Sequence, residues 1–287
     1  MSLVDRLRAL PLQLLPQRLS SRLVYRLARV RTPWIKNPLI RAYIRLYRVA
    51  MDEAAEPDPH AYPNFNAFFT RTLKPGARPV ASEPDVMACP VDGTVSQLGY
   101  CDGETLIQAK GQHYTLTRLL GGDAEQAAAF RGGAYATLYL SPRDYHRIHM
   151  PLAGELRHMV HIPGRLFSVS PTTTRAVAEI FARNERLAVL FDTRIGPMAV
   201  ILVGAINVGS LETLWGGPVA ASLNPRVWRY PADGAALRLE RGEELGRFNL
   251  GSTVILLFPG GRVRWRAGLG PGDPVRMGQR LADLDPA

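Results

Sequence analysis

The chain has 287 residues, 46% of them hydrophobic and 21% charged, which is enough for a sizeable core and a poor fit to a disordered, collagen-like or disulfide-stapled protein. Its formal charge of +10 sits at one end: of 35 Lys/Arg and 25 Asp/Glu, eleven and one fall within residues 1–50, so the remainder is neutral. A basic segment on a neutral body is not the footprint of a nucleic-acid-binding domain, which is basic on its folded face, and it suits an electrostatic anchor.

From Leu3 to about Met51, Leu, Val, Ile and Tyr recur every three or four residues with arginines between them, a helical period. Pro11, Pro16, Pro33 and Pro38 are expected to cut this stretch into short helices. Two readings stand side by side: helices lying in a headgroup plane with arginines on anionic lipid, or a bundle docked on the body with a solvated basic face. No run approaches the roughly 18 apolar residues of a spanning helix, and Arg and Pro interrupt every apolar stretch that would serve as a signal-peptide core. Cys89 and Cys101, the only cysteines, form no zinc spacing and are compatible with a reducing cytoplasm.

Glu56-Pro57-Asp58-Pro59 reads as a joint, followed by an aromatic cluster from Tyr62 to Phe69. Beyond Arg71, short β-branched and aromatic runs alternate with Gly, Pro and Asp, the pattern of strands and turns. Expected strands include Ala134–Leu140, Met198–Ser210, Thr253–Phe258 and Arg262–Arg266, and a short helix is expected within 171–190, capped by Ser170 or a following Thr. The fold class is therefore α+β: a β-rich, sandwich- or barrel-like domain, 71–287, preceded by short amphipathic helices in a basic, membrane-associating region, 1–70. Pro90–Val95 and the glycine-rich Gly268–Leu284 have a layout similar to a biotinyl or lipoyl carrier domain. Neither contains a lysine to carry the group, so a carrier function is not supported.

Three places carry side chains suited to chemistry. Asn249-Leu250-Gly251-Ser252-Thr253 enters an apolar strand, and the glycine lets the Ser252 hydroxyl fold back onto the preceding carbonyl without interference from a Cβ. Ser141 to Pro151 holds His146 and His149, three residues apart after a strand, which suits acid–base work near neutral pH; surface histidines of no function have the same appearance. As a metal pair they lack a third ligand nearby. Asp92 lies in Val91-Asp92-Gly93-Thr94, where Asp-Gly is also a common hairpin signal, and Asp144 is an equally good acidic partner. An Asp, a His and a Ser can form an activated-nucleophile relay, although the absence of Gly-x-Ser-x-Gly around Ser252 weakens an α/β-hydrolase reading.

Taken in order, Pro63-Asn64-Phe65-Asn66-Ala67-Phe68-Phe69-Thr70-Arg71, the Asp92 turn, the two-histidine loop, Phe181-Ala182-Arg183-Asn184-Glu185-Arg186 through Gly196-Pro197-Met198, and Leu250-Gly251-Ser252-Thr253 resemble the bacterial, pyruvoyl-dependent phosphatidylserine decarboxylase family, from about Asn37 onward. The resemblance implies self-cleavage at Gly251-Ser252. Ser252, helped by His149 and Asp92, attacks the Gly251 carbonyl; β-elimination then cuts the chain, and the resulting dehydroalanine hydrolyses to a pyruvoyl group. It implies a β chain, 1–251, and an α chain, 252–287, held together as a heterodimer and paired again as a homodimer. It implies decarboxylation of membrane phosphatidylserine to phosphatidylethanolamine through a Schiff base on that pyruvoyl group, with His146 as acid–base and no metal or PLP. It places the protein peripherally on the cytoplasmic face of the cell membrane, and it makes Phe167 and Ser168 candidates for the lipid pocket. His161 departs from the family by standing where a tyrosine is expected. Two rivals share the residues: a membrane-associated serine amidase or esterase using Asp92, His149 and Ser252, and a non-catalytic lipid-binding module in which Ser252 merely sits in a turn.

Overall fold

The computed structural model describes residues 17–109, 111–206, 211–219, 222–231, 236–249 and 252–285. The expected helical segment before residue 17, Leu250 and Gly251 lie outside these residues. Helix α1 spans Gln17–Ala28 and α2 spans Pro33–Tyr47. Pro33 occupies the first turn of α2, where a missing N–H costs nothing. Pro38, expected to break the helix, does not: α2 runs through it to a left-handed C-cap at Arg48, φ 53°. One lost backbone bond is outweighed by the face that α2 buries, where Ile40 and Tyr43 meet the aromatic helix α3, Phe65–Phe69. Asn64 caps α3 by accepting from the Ala67 N–H at 2.9 Å. The Tyr43 ring meets Phe65, Phe68 and Phe69 edge-on at 5.0, 6.0 and 6.1 Å, and its hydroxyl donates to the Pro142 carbonyl at 3.0 Å. The inner face of the helical segment is thus docked on the body, while Leu23, Leu27, Trp34 and Leu46 on it remain exposed.

The body contributes β1 (Val86–Ala88), β2 (Gly93–Tyr100), β3 (Thr105–Ala109), β4 (Gln112–Thr115), α4 (Leu116–Leu119), α5 (Ala124–Ala128), β5 (Ala134–Leu140), β6 (Arg147–His149) and β7 (Gly154–Ile162). It continues with α6 (Pro171–Ala176), α7 (Ile180–Arg183), β8 (Arg186–Thr193), β9 (Gly196–Val203), β10 (Leu211–Thr213), β11 (Gly217–Pro218), β12 (Arg226–Arg229) and β13 (Arg238–Leu239). It ends with β14 (Glu244–Phe248), β15 (Ser252–Leu257), β16 (Val263–Trp265), β17 (Pro274–Val275) and β18 (Arg280–Leu284). The main antiparallel sheet runs β12-β7-β8-β9-β15-β5-β2-β17, with β13 also on β7. Smaller sheets, β11-β10-β14-β6 and β1-β18-β16, and the β3–β4 hairpin complete it.

The α+β class and the strand at Ala134–Leu140 stand as read from the sequence. β8, β9 and β15 show unbroken apolar runs rather than alternation because both faces of the sheet are covered; Ala188, Val200, Ile201, Val254 and Ile255 are all fully buried. The strand expected over Met198–Ser210 stops at Val203, next to Gly204, whose carbonyl accepts from the Asn184 side-chain amide at 2.8 Å; 207–210 lie outside the described residues. The single helix expected in 171–190 is two short ones, because Arg186 already belongs to β8.

Candidate active site

One end of the main sheet gathers the marked residues. Thr253 on β15 lies between Tyr139 on β5 and Val203 on β9, and Tyr139 is in turn paired with Thr94 on β2. Ser252, the first residue of β15, is opposite Leu140. Asp92 immediately precedes β2, so its backbone lies two strand spacings from Ser252, about 10 Å. Gly93 does not form a hairpin turn here. It presses on β5 so closely that a Cβ would sit 2.4 Å from the Tyr139 carbonyl oxygen, which explains a glycine at this position.

The approach to Ser252 is held by polar contacts from distant parts of the chain. The Phe248 N–H donates to the His146 carbonyl at 3.1 Å. Asn249 is buried; its side-chain oxygen accepts from Asn66 of α3 at 2.9 Å, and its amide donates to Glu212 at 3.1 Å. Arg247 and Glu212 are ion-paired beside it. The Ser252 side chain is outside the described residues.

His146 is fully buried, with its ring 4.1 Å from that of Phe69. Its Nδ1 lies 2.8 Å from the Asp144 carbonyl, which can only accept, so Nδ1 carries the proton. Nε2 is then a bare acceptor, with no hydrogen-bond partner among the described residues. Burial pushes the imidazole down to about 3, with nearby Arg71 acting in the same direction, so the ring is neutral. His149 differs. Its Nδ1 donates to the Gly242 carbonyl at 2.8 Å, and its Nε2 accepts from the Tyr145 hydroxyl at 3.0 Å. Burial lowers its pKa, outweighing the opposing hydrogen bond to Gly242 and the weaker pull of Glu244 and Asp92.

Asp92 and His149 share a neighbourhood without touching: the His149 N–H donates to the Pro90 carbonyl at 2.9 Å. The Asp92 carboxylate is taken by Arg78, Nε at 2.9 Å and Nη2 at 2.6 Å, and by the Met277 N–H at 2.9 Å. These charge-assisted bonds fix its orientation. Asp144, the alternative acid, accepts from both the N–H and the hydroxyl of Ser141 at 2.7 Å; burial raises its pKa. Its carboxylate buttresses the turn after Leu140 and, among the described residues, is hydrogen-bonded to neither histidine.

Phe167 is buried rather than lining an open wall, clasped by Asn184, which accepts from its N–H at 3.1 Å and donates to its carbonyl at 2.9 Å. The same Asn184 holds Gly204, next to Val203 in the row that includes Thr253, so this loop reaches the site end of the sheet. The Ser168 hydroxyl accepts from the Ser170 N–H at 3.3 Å. Fully buried His161 is bonded to Glu185 at 2.8 Å, a polar pair in place of the expected aromatic. The sequence did not single out Arg78, Tyr145, Glu212 or the Asn66–Asn249 clamp. That clamp joins residues 183 positions apart, and no local signal encodes it.

The phosphatidylserine decarboxylase profile matches residues 65–283, and a second profile, PSD, matches residues 7–48. The chain is 56% identical over 268 residues to the phosphatidylserine decarboxylase proenzyme of Methylococcus capsulatus, covering 93% of each. It is 55% identical over 281 residues to that of Azotobacter vinelandii, covering 96% of this chain and 98% of the relative. It is 56% identical over 284 residues to that of Pseudomonas aeruginosa strain LESB58, covering 98% of both.

Proposed function

The chain belongs to the phosphatidylserine decarboxylase family, and from that premise we propose how its own residues perform the reaction. It is a self-cleaving proenzyme of a lyase that converts phosphatidylserine to phosphatidylethanolamine, and its α and β chains remain associated. The pyruvoyl group made by the cleavage supplies a ketone that takes up the substrate amine and an adjacent carbonyl that withdraws electrons as CO₂ leaves. The surroundings fit such a group: a buried histidine keeps a bare Nε2 in a closed, largely apolar setting beside Phe69.

The cut falls between Gly251 and Ser252. The Ser252 hydroxyl replaces the amide nitrogen on the Gly251 carbonyl, and His149, neutral because burial lowers its pKa, takes the hydroxyl proton once Tyr145 yields Nε2. Asp92, held by Arg78 and the Met277 N–H, acts on His149 through its field rather than by contact. His146 handles the proton at the carbon that loses CO₂. Phe167 and Ser168 help shape the lipid side of the pocket. The observation that carries this reading is the clamp of Phe248 and Asn249 against His146 and Asn66, immediately before Ser252. On a denaturing gel with intact mass, wild type is expected as two fragments and Ser252→Ala as one folded, inactive chain; normal cutting in the alanine variant overturns the mechanism.

No described helix is long and apolar enough to cross a membrane. Attachment is peripheral, on the cytoplasmic face of the cell membrane. Exposed Leu23, Leu27, Trp34 and Leu46 beside exposed Arg26, Arg41 and Arg45 support it: shallow insertion plus several charges of about 1 kcal/mol each. Sedimentation with anionic vesicles is expected to fall strongly in high salt and on deleting residues 1–50, and binding unmoved by either places the anchor elsewhere. A homodimer of processed protomers belongs to the same reading. Among the described residues β12 is an open sheet edge with Val227 exposed, which supports it, and a native mass of one protomer removes it.

A further inference from the structure

Beside the histidines, Arg71 follows Thr70, the C-cap of the aromatic helix, and is 4% exposed. Its guanidinium lies over the Phe68 ring at 5.8 Å, and Nη2 donates to the Arg143 carbonyl at 3.2 Å. Among the described residues, Nε has no partner and no carboxylate lies within ion-pair distance. A buried charge without a counter-ion is costly unless something else neutralises it. Arg71 lines a cleft of about 310 Å³, at the lower end of the volumes that hold small ligands. Arg48, Arg143 and Arg276 line it as well. Of the acids there, Asp92 and Glu53 are both engaged by Arg78, and Asp144 is occupied by Ser141. Arg143 also lies 3.8 Å from Asp144 and Arg276 3.5 Å from Glu53, so five arginines share three carboxylates and the cleft keeps an excess of positive charge, with Arg48 and Arg71 outside any ion pair among the described residues.

Its floor begins at Gly93 and Thr94, in the strand two places from Ser252. A serine phosphodiester separates its amine from its phosphorus by a short run of single bonds, about 5 Å. An amine held near Ser252 can thus extend its phosphate toward the cleft, while its carboxylate is left on the apolar His146–Phe69 side, where losing the charge is favoured. Planar guanidinium forks suit a phosphoryl oxyanion.

We propose that Arg71, with Arg48, Arg143 and Arg276 around it, seats the phosphoryl oxyanion of the phospholipid headgroup. This rests on the decarboxylase reading, so the test separates binding from chemistry by using the full uncut Ser252→Ala chain. Isothermal titration with inorganic phosphate and with a soluble short-chain phosphatidylserine reads the seat without any turnover. Both probes are expected to weaken at least tenfold in Arg71→Gln, to recover in part in Arg71→Lys, and to weaken about threefold in the exposed Arg48→Gln. In the otherwise wild-type chain, Arg71→Gln still cuts, and its KM rises more than its kcat falls. Should phosphate need Arg71 while the lipid does not, the seat takes a free anion and the headgroup assignment fails. It fails equally if neither probe responds to Arg71. Should Arg71→Gln not fold, Arg48→Gln and Arg276→Gln decide: unchanged lipid affinity in both overturns the proposal. A wild-type chain that binds both probes through Arg71 but never cuts would leave the seat standing and remove the decarboxylase reading instead.

Discussion

The chain is held by different physics on the two sides of Ser252. Upstream, Arg247 and Phe248 close strand β14, which is paired with β10 and β6, and beyond it Asn249 is held by side-chain contacts to Asn66 and Glu212. Downstream, β15 is hydrogen-bonded along both edges, to β5 and β9, and its Val254, Ile255, Leu256 and Leu257 are fully buried. The contacts of Asn249 orient the chain and are individually weak, about 1–2 kcal/mol each. The downstream strand is anchored by a ladder and by burial that do not depend on an intact bond before Ser252. A proenzyme needs both: a positioned bond to cut, and a fragment that stays in place afterwards. β18, paired with β1 and β16, adds a second tie between the two proposed chains.

The sharpest break in this comparison comes from the two histidines, whose contacts differ although three residues separate them. His149→Ala is expected to slow cutting by a factor of about 10² or more, since a positioned base contributes about 10² to 10⁴. His146→Ala is expected to cut and then to decarboxylate about 10² to 10⁴ times more slowly. Gel densitometry over time and a CO₂-release assay read the two steps separately. If both variants cut fully and turn over normally, the loop has only a structural role.

A smaller effect sets the two sides of Ser252 against each other. Leu256→Ala opens a cavity in the double-faced core and is expected to cost about 2–5 kcal/mol by urea unfolding, while leaving the cutting rate per folded molecule nearly unchanged. Asn66→Ala removes one support of Asn249 and is expected to cost only about 1 kcal/mol, yet to slow cutting about tenfold, equivalent to about 1.4 kcal/mol of barrier. The opposite ranking, a rate loss in Leu256→Ala and none in Asn66→Ala, would show that the clamp does not position the bond.

The same contrast explains what could be read from the sequence. β9 and β15 announce themselves because burial on both faces demands consecutive Val, Ile and Leu, and that pattern is local. Ser252, His146, His149 and Asp92 are visible as residue types beside strands and as a set of motifs in order. Their partners are not. The preference of Asp92 for Arg78 over His149, and of His149 for Tyr145 and Gly242, depends on which loops the sheets bring together. Pro38 misled for the same reason: its local penalty is real, but the face shared by α2 and α3 decides. The buried, uncompensated Arg71 inside a recognised motif was equally invisible, because charge is legible in a sequence and its partners are not.

The smallest expected effect is on stability, and it follows from how deeply the histidines are buried. His146 titrates at about 3 in the folded chain against an ordinary 6.5, and His149 is also displaced downward, in both cases chiefly by desolvation. A base whose folded pKa is depressed leaves the unfolded chain to take the proton first as pH falls. The stability it contributes is complete above 6.5 and drains away as pH drops from 6.5 toward 3. The native carboxylates with lowered pKa, Glu53 and Glu212, exchange theirs below about 4.5, and Asp144, displaced upward by burial, acts in the opposite sense, so a loss of stability between pH 6.5 and 5 belongs to histidines. Over that interval one such histidine accounts for at most about 2 kcal/mol. Urea midpoints of the uncut Ser252→Ala chain at pH 7 and pH 5 are therefore expected to separate, with the lower stability at pH 5. Adding His146→Asn is expected to narrow that separation, although it lowers stability at both pH values. Equal separations with and without His146 would mean that the ring is not buried in its neutral form. The neutral base beside Phe69, and with it the difference between the two histidines, would then have to be abandoned.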